Sequence, residues 1–114
     1  MGIEKLLENV LLVSLPKEPQ LISDELITVN EIVSDGCACD VIIDFSRVEL
    51  LTSESISSLI ILEGLLDSLG HKVILYTVSS RIRQILERIG IQPLFEFAHD
   101  QFTALQSVRH SSLF

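Results

Sequence analysis

A cluster of three hydroxyl side chains and one carboxylate lies in the middle of the chain. Thr52, Ser53, Glu54 and Ser55 precede a long apolar stretch that starts at Ile56. Ser and Thr are favoured at helix N-termini, where their oxygens accept hydrogen bonds from free N–H groups. A phosphate on such a hydroxyl is also well tolerated, because the same N–H groups and the helix dipole stabilise negative charge. The cluster therefore predicts either capping residues alone or a modifiable switch, and both interpretations stay open.

Asp44 is another polar residue at a position suited to chemistry, within the apolar run from Val41 to Phe45. An aspartate at the end of a buried strand could accept a phosphoryl group. No acidic pair precedes it, however, and no lysine stands at the end of a later predicted strand. We therefore expect Asp44 to play a structural role, as a hydrogen-bond acceptor in the turn at Ser46 and Arg47.

The sequence lacks the residue pattern of a serine hydrolase. Ser53 lacks both flanking glycines of the Gly-x-Ser-x-Gly nucleophile elbow, and His71, His99 and His110 are expected at a helix end, in a loop and in the tail. The chain also lacks a Gly-x-Gly-x-x-Gly motif, a Walker loop and a His/Cys/Asp cluster with metal-ligand spacing. We expect no enzymatic activity, no cofactor and no metal, and a serine hydrolase is the least favoured function.

The two cysteines, Cys37 and Cys39, are one residue apart between Gly36 and Asp40. This spacing is too tight for an ordinary disulfide, and two ligands are too few for a structural zinc site. We expect small, partly buried residues before a strand.

Composition limits the partners. The 114 residues are 47% apolar but only 5% aromatic, which predicts one domain with a core of Leu, Ile and Val. Sixteen acidic against eight basic side chains give a formal charge of -8, which disfavours nucleic acids and anionic lipid surfaces. No apolar run is long enough to span a membrane, and the first residues do not resemble a signal peptide. We expect a cytoplasmic protein without membrane insertion.

Alternating apolar runs and amphipathic segments predict the architecture. The expected strands cover residues 10–15, 41–45, 73–78 and 94–97. The expected helices begin at about Ser23, Ser53, Ser79 and Asp100, and the first three end near Gly36, Gly70 and Gly90. Residues Ile82, Ile85, Leu86 and Ile89 are expected to face the core from the third helix, and Phe102, Leu105 and Val108 from the fourth. Residues 110–114 are expected to form a loose tail.

Strands that alternate with helices of this length imply right-handed βαβ crossovers. We therefore predict an α/β fold: a single domain over residues 1–114, with a mainly parallel sheet of four to five strands and about four helices.

The segment from Val41 to Ser53 resembles the signature of the STAS family, of which anti-sigma factor antagonists are the type. An apolar strand ending in Asp44 is followed by a turn, an apolar segment and a serine that opens a helix. The segments 70–75, 79–91 and 94–97, with a closing helix at Ala104 and Leu105, are similar to later parts of the family pattern. The resemblance covers residues 8–108 and implies a STAS-like fold.

The resemblance places Ser53 at the family's phosphorylated serine, with Thr52 as a second choice. In antagonists the usual turn reads Asp-Ser-Ser/Thr/Ala-Gly, so this chain has Thr52 for Asp, Glu54 for a small residue and Ser55 for Gly. The change at Thr52 removes a carboxylate beside the target hydroxyl, and Ser55 adds a side chain where a kinase must approach. Glu54 leads to the hypothesis of a partly phosphate-mimicking, constitutive state, because it places permanent negative charge beside the switch.

The same turn and helix form the face that antagonists present to a serine kinase-type anti-sigma factor. The resemblance therefore implies that a protein partner contacts Thr52, Ser53, Glu54, Ser55, Ile56 and Ser57, although core burial of Ile56 is equally compatible with its spacing. The helix from Ile56 to Leu66 is apolar on more than one stripe, and the surplus predicts a docking surface.

The expected function is an anti-sigma factor antagonist, a monomer or weak dimer. Two alternatives remain: a scaffold in a stressosome-like assembly, and a STAS subunit bound to the ATPase of a lipid-transport ABC system. All three bind proteins.

Overall fold

The computed structural model of the protein describes residues 2–111, with the side chains of residues 2–108. The strands are β1 (Ile3–Leu7), β2 (Val10–Ser14), β3 (Asp40–Asp44), β4 (Val73–Tyr76) and β5 (Glu96–Ala98). The helices are α1 (Pro19–Ser34), α2 (Ser53–Ser68), α3 (Ser80–Arg88) and α4 (Gln101–Ser111), and a short 3₁₀ turn covers Gln92–Leu94.

The five strands form one sheet in the order β1-β2-β3-β4-β5. β1 pairs antiparallel with β2, and every other pair is parallel. Sequential parallel strands joined by right-handed crossovers place all the connecting helices on one face of the sheet. The predicted α/β fold, with a mainly parallel sheet and four helices, is confirmed.

Each face of the sheet has its own core. Alternate residues of the central strands, such as Val13, Ile43 and Leu75, pack in one cluster with α1, α2 and α3. Their neighbours, such as Leu12, Ile42 and Ile74, pack in a second cluster with Ala104 and Val108 of α4. The central strands are therefore buried on both faces, which explains their continuous apolar sequence.

The first part of the chain differs from the prediction in two places. β1 was not predicted, and it forms a hairpin with β2 through the turn at Glu8 and Asn9. The prediction that the first helix begins at Ser23 was wrong, since α1 begins at Pro19. Proline is suited to the first helical turn, because its fixed φ matches the helix and its missing N–H would have no partner there. Asp24 and Glu25, which a start at Ser23 would place in the first turn, consequently lie beyond it.

The ends of α2 and α3 agree with the glycines chosen from the sequence. α2 ends at Ser68 and α3 at Arg88, and Gly70 and Gly90 follow with φ of 77° and 81°. Only glycine adopts this left-handed conformation without a steric cost to a Cβ.

The strand predicted to reach residue 78 ends at Tyr76, because Thr77 has a φ of 54°. The Thr77 hydroxyl donates to the carbonyl of His99, and its N–H donates to the carbonyl of Ala98. The strand predicted over 94–97 is instead a 3₁₀ turn followed by β5. Pro93 lies in that turn, where the fixed φ of proline favours helical backbone.

Two predicted core positions are wrong. Phe102 is 67% exposed and Ile89 is 49% exposed, whereas Ala104 of α4 is fully buried. Phe102 lies in the first turn of α4, and Ile89 is the C-cap residue of α3. α4 extends to Ser111 and so includes the first two residues of the predicted tail, while 112–114 lie outside the described residues.

Candidate functional site

The hydroxyl cluster lies where the loop after β3 enters α2, at the carboxyl edge of the parallel strands. Thr52 is the N-cap residue in an extended conformation, and its hydroxyl oxygen accepts a hydrogen bond from the N–H of Ser55 at 3.1 Å. The Thr52 hydroxyl in turn donates to the Ser55 hydroxyl at 3.1 Å. The helix cap is therefore formed by Thr52.

Ser55 is fully buried, at 0% exposure. It lies four, seven and eleven residues before Leu59, Leu62 and Leu66, which are also fully buried, and so it belongs to the inward stripe of α2. The prediction that Ser55 contacts a partner was wrong for this reason. Its side chain lies in the core, whereas Ser53 is exposed.

Ser53 is the first residue of α2, and its side chain is exposed. Its hydroxyl makes no hydrogen bond with the described residues, in contrast to the hydroxyls of Thr52 and Ser55. Ser53 is thus the hydroxyl of the cluster that is accessible and contributes nothing to the cap.

The other predicted contacts differ in exposure. Glu54 and Ser57 are exposed, whereas Thr52 and Ile56 are intermediate. Glu54 is the acidic residue of the first turn, where the helix dipole stabilises its carboxylate. Thr52 caps the N–H of Ser55. The N–H groups of Ser53 and Glu54 precede it in the first turn, where backbone N–H groups have no partner within the helix.

Asp44 ends β3 and accepts a hydrogen bond from the N–H of Ser46 at 2.8 Å, the geometry expected for a structural turn. Its strand partner is Tyr76, whose hydroxyl contacts the Gln101 side-chain oxygen at 3.2 Å. Burial, reinforced by the Asp44 carboxylate, raises the pKa of Tyr76 to about 12. Tyr76 therefore stays protonated at neutral pH and serves as a hydrogen-bond donor.

The outward face of α2 carries apolar side chains, as the surplus of apolar residues predicted. Ile60 is 38% exposed and Ile61 is 53% exposed. Their spacing of seven and eight residues from Ser53, with Ser57 at four, places all of them on one stripe of the helix. The free hydroxyl and the apolar surface are therefore parts of one continuous face, which we call the α2 face.

Sequence reasoning missed the role of α1 beside this face. A groove between the two helices is lined on the α1 side by Ile27, Asn30 and Glu31, and on the α2 side by Ser58 and Ile61. Ile27 is 47% exposed. The sequence contained a clue, because Ile27 is apolar yet lies off the stripe of Ile22, Leu26 and Val29.

The histidines do not assemble around Ser53. His71 precedes β4, and its Nδ1 lies 3.3 Å from the carboxylate of Asp40 at the amino edge of the sheet. His99 follows β5, two strands away from β3, and no described contact joins it to Ser53. The side chain of His110 lies outside the described residues.

Among the described residues, no group of three or more His, Cys, Asp or Glu could hold a metal ion. No helix in that part of the chain is both long and apolar enough to cross a membrane. Both cysteines are free, with Cys37 intermediate and Cys39 buried, as the sequence predicted.

Several solved structures share this architecture. A serine-to-glutamate variant of RsbS from Moorella thermoacetica is 16% identical, with a TM-score of 0.83 over 98% of this chain and 97% of that one. The anti-sigma factor antagonist SpoIIAA in its unphosphorylated form is 16% identical, with a TM-score of 0.79 over 95% of each chain. The chain has the STAS fold.

A third structure with the STAS fold, from the stressosome, is 19% identical, with a TM-score of 0.77 over 98% of this chain and 99% of that one. No protein-family model matches the sequence, and no curated protein does. The resemblance read from Val41 to Ser53 is therefore confirmed at the level of the fold.

The division between Thr52 and Ser53 predicts different costs of substitution. Thr52→Ala should lower the free energy of unfolding by about 0.5–2 kcal/mol, because it removes the cap of α2. Ser53→Ala should change it by less than about 0.5 kcal/mol, since an exposed hydroxyl without a partner is lost. Urea denaturation followed by circular dichroism measures both. Equal losses for the two variants would contradict the assignment of the cap.

The cysteines should differ in reactivity. Burial raises the pKa of the Cys39 thiol to about 12, so almost none of it is thiolate at pH 8, whereas Cys37 is partly exposed. Iodoacetamide at pH 8 should alkylate Cys37 well before Cys39 in the folded protein, as measured by peptide mass spectrometry. Equal rates in urea serve as the control, and equal rates in the folded protein would contradict the burial of Cys39.

Proposed function

We propose that this protein is a non-catalytic regulator that binds a protein partner through the α2 face and is switched by phosphorylation of Ser53. The observation that supports the proposal is the accessibility of the Ser53 hydroxyl. Thr52 forms the cap and Ser55 is buried, so Ser53 can be modified without loss of a bond that holds α2. A serine needed only for capping would be hydrogen-bonded, as Thr52 is.

A phosphate on Ser53 would be stabilised by its own protein. The position is the first residue of a 16-residue helix, where free N–H groups and the positive end of the dipole favour an anion. The added charge of about -1.5 to -2 would lie on the same stripe as Ile60 and Ile61. A partner that packs on these isoleucines would then have to bury or repel the phosphate, so the modification changes binding and leaves the fold intact.

Glu54 modifies this switch. Its exposed carboxylate neighbours Ser53 in the first turn, so the unmodified face already carries negative charge. We infer a switch whose unmodified form has part of the character of the phosphorylated form. The effect of a phosphate is therefore smaller than it would be beside a neutral residue, and Glu54→Gln should enlarge it.

The partner that we propose is a serine kinase-type anti-sigma factor in the cytoplasm, which would make this protein an anti-sigma factor antagonist. SpoIIAA of Bacillus, which shares the fold, has been solved in unphosphorylated and phosphorylated forms. A scaffold role is the second candidate, since RsbS and a stressosome chain share the fold over nearly their whole length.

Affinity capture from native lysate tests the switch. Wild-type protein and Ser53→Ala should retain a serine kinase-type protein, and Ser53→Asp should lose at least about tenfold of it, because charge is added to the docking face. Ser80→Asp is the matched control. Ser80 is also an exposed first residue of a helix, α3, behind the N-cap Ser79. It should bind like the wild type.

Capture that is equal for Ser53→Asp and Ser80→Asp would contradict the switch. Release by both variants would show that any added charge disturbs binding and would contradict the assignment to α2. A stable assembly of many copies, without a kinase, would support the scaffold instead.

A further inference from the structure

Charge is segregated among the three helices on one face of the sheet. α1 and α2 each contain three acidic residues and no basic one. α3 carries three arginines and one glutamate within nine residues. The molecule therefore has an acidic helical surface and a basic helix on the same side, although its net charge is -8.

The groove between α1 and α2 combines two half-exposed isoleucines, Ile27 and Ile61, with an acidic rim. Its volume is about 390 Å³, and the Asn30 amide, which donates to the Ser58 carbonyl at 3.1 Å, bridges the two helices within it. Glu31, one helical turn after Ile27, and Asp35, one turn further, line its edge and are both exposed. A groove of this composition fits a helix that presents both aliphatic and cationic side chains along one stripe.

α3 presents such a stripe. Arg81 and Arg88 lie at helical spacing on its exposed side, and Ile89 ends the stripe at 49% exposure. Ile85, between the two arginines, is partly buried against the core. Both arginines are exposed, and no described salt bridge involves either one. Arg83 lies off this stripe, over the ring of Phe97 at 4.3 Å.

We propose that α3 of one copy docks into the α1–α2 groove of a second copy. Ile89 would contact Ile27 and Ile61, while Arg81 and Arg88 would pair with the carboxylates of the rim. The two surfaces differ, so the contact is heterologous and adds copies head to tail instead of closing a dimer. The crossovers place α1 beside β2 and β3 and α3 beside β4 and β5, so the two surfaces lie at opposite ends of the helical layer.

The contact is small and electrostatic. A nine-residue helix is about 14 Å long, so its stripe buries less than the roughly 800 Å² per partner of a standard interface. The association is therefore weak, and added salt lowers it because the charged rim is exposed. Ile61 belongs to both the groove and the α2 face, whereas Ser53 does not line the groove. Self-association is therefore tested with purified protein and without Ser53 variants.

Sedimentation of wild type and two variants tests the contact, with protein from about 10 μM to about 1 mM, the range of weak affinities. The wild-type mass should rise with concentration beyond that of a dimer at low ionic strength. Ile61→Glu places a charge in the apolar part of the groove, and the double variant Arg81→Ala, Arg88→Ala removes the cations of the stripe. Each should remain at the 12.7 kDa of the monomer.

Mixing the two variants is the sharper experiment. The Ile61→Glu protein retains a basic stripe and the double-arginine variant retains a groove, so an equimolar mixture should form a 1:1 complex that cannot extend. Leu69→Glu and Arg83→Ala are matched controls, since Leu69 is as exposed as Ile61 and neither residue lines the groove or belongs to the stripe. Both should associate like the wild type, with affinities within about threefold, whereas the variants should lose at least about tenfold.

Several results would overturn the proposal. The first is a wild-type protein that stays monomeric at low salt over the whole concentration range, and the second is one that stops at a closed dimer. The third is a mixture of the two variants that forms no complex, although both variants melt like the wild type. None of these results bears on partner capture by Ser53 variants, so failure of the head-to-tail contact and failure of the switch remain distinguishable.

Discussion

The right-handed connection between parallel strands determines where every functional side chain of this protein lies. Because β2, β3, β4 and β5 follow one another in both sequence and space, each crossover turns the same way and each connecting helix reaches the same face. α2 is thereby held between α1 and α3, with its N-terminus at the carboxyl edge of the sheet. The other face is covered by α4. The placement of the α2 face between its neighbours follows from topology before any side chain is considered.

The orientation of α2 about its own axis gives the three neighbouring hydroxyls different roles. One stripe of the helix faces the core through Leu59, Leu62 and Leu66, and Ser55 lies on the same stripe. Thr52 precedes the first turn and caps the backbone of the helix. Of the three hydroxyls, that of Ser53 is therefore the exposed one that makes no hydrogen bond with the described residues. The division explains how a residue at a helix start can change its charge without unfolding the helix: the bonds that hold the start belong to its neighbours.

The central strands and the helix ends could be predicted from the sequence. The buried strands β3 and β4 are continuous apolar runs, and the ends of α2 and α3 are marked by Gly70 and Gly90. β1 could not be read, because a five-residue edge strand with mostly exposed side chains has little periodicity. Ser55 was misplaced because α2 is apolar around most of its circumference, so periodicity alone does not select the buried stripe until packing against the sheet fixes it.

Phosphate mapping of the native protein tests whether Ser53 is the residue that is modified. The protein is purified from its own cells with phosphatases inhibited, and phosphorylated residues are located by tandem mass spectrometry. We expect phosphate on Ser53 and none on Thr52 or Ser55, since Thr52 holds the cap and Ser55 is buried. Phosphate on Thr52, or a protein that never carries phosphate on Ser53 under conditions in which its partner is released, would contradict it.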